Sequence, residues 1–133
     1  MVDDKVGAAY GALSSPIFSP DSSRVAHEAW QKGQGTIVVD GKEGPWFASA
    51  GIEGPIFSPD SRRVAYISHY FDKRLGYGVA DRWYVVVNEG SSNIAHESTF
   101  RLTNLSFVGD SSLRAIGVRG KEVVRVDIEL EKR

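Results

Sequence analysis

The 133-residue chain is 41% hydrophobic and 11% aromatic, enough apolar material to pack one domain and too much for a disordered chain. Its 16 Lys and Arg are scattered along the chain against 17 Asp and Glu, for a formal net charge of -1, so the basic face that a phosphate backbone needs is missing and nucleic acid is set aside as a partner. With no cysteine there is neither a disulfide framework nor a thiolate metal site, and no apolar run reaches the ~18 residues of a membrane-spanning helix.

In chain order, MVDDKVGAAYGALSS puts Asp3 and Asp4 where a secretory signal carries bases and offers no apolar stretch. As written the chain reads as cytoplasmic, or as periplasmic if a leader preceded it. Lys5-Val6-Gly7-Ala8-Ala9-Tyr10 is a weak candidate strand. The run PIFSPDSSRVA at Pro16 then opens a unit that returns 39 residues later at Pro55 as PIFSPDSRRVA, and in degraded form at Leu105 as LSFVGDSSLRA. Pro-Ile-Phe-Ser is short and extended, because proline fixes φ and biases its predecessor toward β. Pro20-Asp21-Ser22 and Pro59-Asp60-Ser61 then set proline and aspartate at the centre of a reversal.

After each reversal come β-branched and aromatic runs with no helical stripe, such as Arg63-Val64-Ala65-Tyr66-Ile67-Ser68 and Trp83-Tyr84-Val85-Val86-Val87. Val39-Asp40-Gly41 and Asn88-Glu89-Gly90 close the third strand of the first two copies, and Pro45-Trp46-Phe47-Ala48 fits a fourth. The third copy ends with its third strand, residues 123–130. Between the second and third strands of the second copy lies FDKRLGYGVAD, residues 71–81, which accounts for the eleven extra residues before the third copy begins. Four short strands per ~40 residues is the signature of a propeller blade. Ile37-Val38-Val39 and Val85-Val86-Val87 are apolar at consecutive positions, so both faces of these strands must be covered, as they are when blades stack.

FSPDS-x-R-V-A followed by an apolar run closing in IVVDG in the first copy and VVVNEG in the second resembles the TolB-type, WD-like β-propeller repeat of bacterial proteins, over nearly the whole chain from Lys5 to Leu130. The resemblance implies blades of four antiparallel strands on a scaffold that binds more often than it catalyses, and it transfers no set of functional residues. The expected fold is therefore all-β, one domain over residues 1–133, with blades at 16–54, 55–104 and 105–133, the last completed by 5–13. Three blades are fewer than the four to eight, roughly, that close a ring, and the arc is expected to leave two end faces rich in Val, Ile and aromatics exposed. A twofold homodimer forming a six-bladed ring follows as the expectation. A solenoid-like stack, or a fragment of a larger propeller, is the alternative architecture.

For chemistry, Gly109-Asp110-Ser111-Ser112 could pass for a hydrolase nucleophile motif, yet it falls where the SPDS turn falls in the other copies. His27, His69 and His96 share no ligand spacing, and His27 aligns with Tyr66 at a packing position. No metal and no cofactor is expected. The 71–81 insertion is the best candidate site: Tyr70, Phe71, Lys73, Arg74 and Tyr77 combine aromatic surface with cations, as binding hot spots do, and Trp30 stands in the corresponding loop of the first copy. The expected function is a non-enzymatic binding module recognising protein or peptide through this loop face. The alternatives are a hydrolase or lyase site built from His69, Asp72 or Asp81 and a nearby serine, or a purely self-assembling structural piece.

Overall fold

A computed structural model of the chain describes residues 12–13, 16–46, 49–70, 82–89 and 92–130, and every regular element among them is a strand. Three antiparallel sheets result. The first comprises β1 (Ala12–Leu13), β2 (Ile17–Phe18), β3 (Val25–Gln31), β4 (Gln34–Val39) and β5 (Lys42–Glu43). Both β1 and β2 pair with β3, at opposite ends of it, so together they form one interrupted strand and the sheet is a four-stranded meander. The second sheet, β6 (Ser49–Phe57), β7 (Val64–Tyr70), β8 (Arg82–Glu89) and β9 (Ser92–Ser98), repeats that meander. The third, β10 (Arg101–Phe107), β11 (Ser112–Arg119) and β12 (Glu122–Glu129), has three strands.

Register shows the repetition to be structural. Phe18 pairs with Val25 and Ile17 with Ala26, while Phe57 pairs with Val64 and Ile56 with Ala65. Hairpins join the strands where the sequence supplies them: Lys32-Gly33 and Asp40-Gly41 both have positive φ, at 51° and 77° and at 52° and 79°, the backbone a two-residue type I′ turn requires. The β7–β8 connection, which spans residues 71–81, takes the place of Lys32-Gly33 in the second sheet.

Two details differ from the sequence reading. The fourth strand of the first sheet is Lys42–Glu43, and Pro45 and Trp46 lie outside any strand; Gly44 N–H bonds Ile37 O (3.0 Å) and ends the pairing with β4. The inner strand of the second sheet starts at Ser49, six residues before Pro55, and proline is accommodated in a bulge between Glu53 and Ile56, where its missing donor costs no ladder bond. In the same way Ala12 and Leu13 join the first sheet, opposite Trp30 and Ala29.

The second sheet is buried on both faces. Val64, Tyr66 and Val86 pack on Ala26, Ile37 and Val39 of the first sheet, and Ala65, Ile67, Val85 and Val87 pack on Leu102 and Leu113 of the third. Consecutive apolar residues in β8 thus serve two different interfaces. The end faces are not the broad apolar surfaces expected. On the first sheet, Ala29, Thr36 and Val38, which alternation turns away from the second sheet, are buried. On the third, with Leu113 and Ala115 turned inward, the outward side of β11 and β12 mixes charge with Ile116, Val118 and Val123: Arg114 and Arg125 each donate from Nε to Asp127 at 3.0 Å, and Ser112 Oγ donates to Glu129 at 2.8 Å.

The repeated FSPDS segment builds a turn and then a joint. In the turn, Ser19 Oγ donates to Asp21 Oδ1 (2.6 Å), which also accepts Ser23 N–H (2.9 Å), while Arg24 N–H bonds Ser19 Oγ (3.0 Å). Ser58 and Asp60 repeat the pattern at 2.6 Å, with Arg62 N–H on Asp60 Oδ1 at 3.1 Å. In the joint, Arg24 Nη1 reaches Ser61 O and Arg62 O of the next turn (2.8 and 2.9 Å) with its guanidinium over the Phe57 ring. Arg63 Nη1 likewise reaches Asp110 O of the third turn (2.6 Å). The backbone donors follow the same direction, Asp21 N–H to Ser61 Oγ and Asp60 N–H to Asp110 Oδ1. Gly109-Asp110-Ser111 is therefore the third turn of the series and receives its neighbour's arginine.

Candidate functional site

A cleft of about 320 Å³ opens between the second and third sheets, at the strand ends opposite the FSPDS turns, lined by Ile52, Glu53, Ile67, His69, Trp83, Arg101, Leu102 and Thr103. Four strands supply it: β6 carries Ile52 and Glu53, β7 carries Ile67 and His69, β8 carries Trp83, and β10 carries Arg101 to Thr103. His69 and Trp83 are cross-strand partners and their rings stack at 4.0 Å with 7° between planes, making one flat wall. Thr103 Oγ1 donates to Glu53 Oε1 at 3.0 Å and ties β10 to β6 across the gap between the sheets. Arg101 is exposed beside it. The floor is apolar, Ile67 and Leu102 being core residues of the joint.

This cleft lies at the mouth of the inserted segment. His69 is one residue before the end of β7 and Trp83 one residue after the start of β8, so the connection over 71–81 leaves and returns beside the aromatic wall. Of the residues singled out from the sequence, Phe71, Lys73, Arg74 and Tyr77 lie outside the described residues, and Tyr70 is the last residue of β7. Trp30 occupies in the first sheet the register position that His69 holds in the second. Its Nε1–H donates to Glu28 Oε1 (3.1 Å), and its ring covers Gly35, where an added Cβ would come within 2.8 Å of it. It does not line the cleft. A smaller opening of about 280 Å³ lies close by, between Gln31, Lys32, Gln34, Glu43 and Trp46.

The alternative hydrolase or lyase site draws on His69, Asp72 or Asp81 and a nearby serine. His69 faces the cleft, Asp72 and Asp81 lie outside the described residues, and the neighbouring Ser68 points to the opposite face of β7, where it is fully buried. His96 stands in the middle of β9, opposite Val85, and not near a loop. Among the described residues no group of three His, Asp or Glu could hold a metal ion. The described side chains of the cleft offer non-covalent contacts. Arg101 presents guanidinium donors for a carboxylate or carbonyl, Glu53 an acceptor for N–H groups or an amine, and the His69–Trp83 stack a surface for a flat or apolar side chain.

Glu53, Trp83, Arg101 and Thr103 were not singled out by sequence reading. The one signal was the place of Trp83 at the start of β8, beside the insertion; nothing in the spacing of the others, from 53 to 103, indicates that the sheets bring them together. No family model matches the chain, and no curated protein and no solved structure matches it either.

Proposed function

We propose that the chain is a non-enzymatic binding module whose three sheets act as consecutive blades of a TolB-like propeller arc, and that it holds a short peptide segment in the cleft between the second and third blades. The observation that carries this reading is the convergence of a cation, Arg101, an acceptor, Glu53, and the stacked His69–Trp83 wall around one opening at the mouth of the 71–81 connection. A peptide backbone alternates donors and acceptors and carries side chains at fixed intervals, so a site with both charge signs beside a flat apolar wall suits it. The consecutive burial of β8 on both faces supports the blade reading, since the same strand must satisfy a neighbour on each side.

The test is a peptide-library screen against the intact chain, followed by titration of the best ligand against Arg101→Glu and against a chain whose residues 71–81 are replaced by a short Gly-Ser link. Both variants are expected to lose at least about tenfold in affinity, about 1.4 kcal/mol, with an unchanged melting temperature. Ligands that bind both variants as well as the parent would overturn the reading.

A further inference from the structure

The joints between sheets have a direction, and the first turn is a receiver left open. In both joints the earlier turn supplies an arginine and an aspartate N–H and the later turn a main-chain carbonyl and a side-chain oxygen, and in the first joint the later turn adds a second carbonyl and a phenylalanine ring. The second turn receives in full: Arg24 lies 5.7 Å from the centre of the Phe57 ring, bonds Ser61 O and Arg62 O, and leaves Ser61 4% exposed. The first turn has the same receiving groups, because Phe18-Ser19-Pro20-Asp21-Ser22 repeats Phe57-Ser58-Pro59-Asp60-Ser61. There, Phe18 is 68% exposed, Ser22 and Ser23 are exposed, and among the described residues no donor reaches the carbonyls of Ser22 and Ser23 or the hydroxyl of Ser22. Phe18 is a large apolar side chain left on the surface, and exposed aromatics with a defined polar surround mark interfaces.

Among the described residues, the third turn does not carry the missing donor. Register places Ser112 where Arg24 and Arg63 stand: Phe107 pairs with Leu113 as Phe57 pairs with Val64, and Val108 N–H bonds Ser112 O as Ser58 N–H bonds Arg63 O. Even the acid partner is retained, since Glu129 lies opposite Ser112 and accepts its hydroxyl as Glu89 accepts Arg63 Nε. The third turn therefore receives and does not give.

We propose that the turn from Phe18 to Ser23 is a docking site for the arginine of another Ser-Pro-Asp-Ser-x-Arg turn, borne by a repeat hairpin other than the three in this chain. The partner's guanidinium stacks on Phe18 and donates to the carbonyls of Ser22 and Ser23, and its aspartate N–H bonds the Ser22 hydroxyl. This site is independent of the peptide cleft, which lies at the opposite ends of the strands. It differs from the twofold homodimer expected from the sequence, whose joint would bring Ser112 to Phe18.

The proposal is tested by giving the chain the donor it lacks. Ser112→Arg, with Glu129 in place to hold the new side chain, should convert the third turn into a giver and raise the weight-average mass by light scattering toward multiples of the parent value. Adding Phe18→Ala to that variant should return the mass to the parent value. Circular dichroism and thermal melting confirm that the variants are folded, and Ser112→Lys, which cannot form the planar stack and fork, should associate less than Ser112→Arg. A folded Ser112→Arg variant with the mass of the parent, or association that survives Phe18→Ala, would overturn the proposal. So would a parent chain whose own self-association is abolished by Phe18→Ala, because a second copy would then cover Phe18 without an arginine.

Discussion

Asp21 and Asp60 show what a single repeated residue does here. Each carboxylate is ringed by donors from its own turn, led by the hydroxyl of Ser19 for Asp21 and of Ser58 for Asp60, and these bonds hold the Asp21 carboxyl well below the usual range and lower that of Asp60. A folded-state pKa below the unfolded one means that the unfolded chain takes up the proton first as pH falls. The stabilisation is therefore complete above the ordinary value of 3.8 and is lost as pH drops through the lowered folded value. Asp60→Asn should be less stable than the parent at neutral pH, and the gap in urea midpoint should narrow as pH falls below the ordinary carboxylate value of 3.8; a gap that stays constant or widens would refute the role assigned to Asp60. The turn was legible in the sequence, because proline, aspartate and serine in that order specify a reversal. The joint was not. A sequence shows that an arginine follows each of the first two turns at a fixed offset, but the reach of Arg24 to a carbonyl 37 residues on depends on how the sheets stack.

The strands and their order were readable because each has turn chemistry at its ends and β-branched or aromatic residues between them. Boundaries failed where backbone geometry competed with composition. Pro55 looks like a strand start, yet a bulge carries the strand through it; Trp46 looks like strand material, yet the pairing ends at Gly44. At this scale the two arginine joints are unequal. Arg63 and Glu89 are each 7% exposed, whereas Arg24 and Asp40 are 22% and 41% exposed. Removing one member of a buried pair strands the other without water, at a cost of about 3–5 kcal/mol, while a half-exposed pair contributes about 1 kcal/mol or less. Chemical denaturation should find Arg63→Ala at least twice as costly as Arg24→Ala. Equal costs would mean that the second joint is not the drier one.

At the scale of the whole chain, the apolar triplets of β4 and β8 foretold sheets covered on both faces, and the second sheet meets that demand between its two neighbours. The expectation of greasy end faces failed because the third sheet switches pattern. β12 alternates Val124, Val126 and Ile128 with Arg125, Asp127 and Glu129, one side for the core and one for water. The cleft was legible only as a location, through the insertion beside it, since its charges come from strands that the fold alone assembles. The second sheet is the interior layer of the stack. Amide hydrogen exchange on the intact chain tests this most directly: Val64 to Ser68 and Val85 to Val87 should exchange slowest of all, and β12 should open well before them. Protection in β12 equal to or greater than that in β7 and β8 would contradict the layered arrangement.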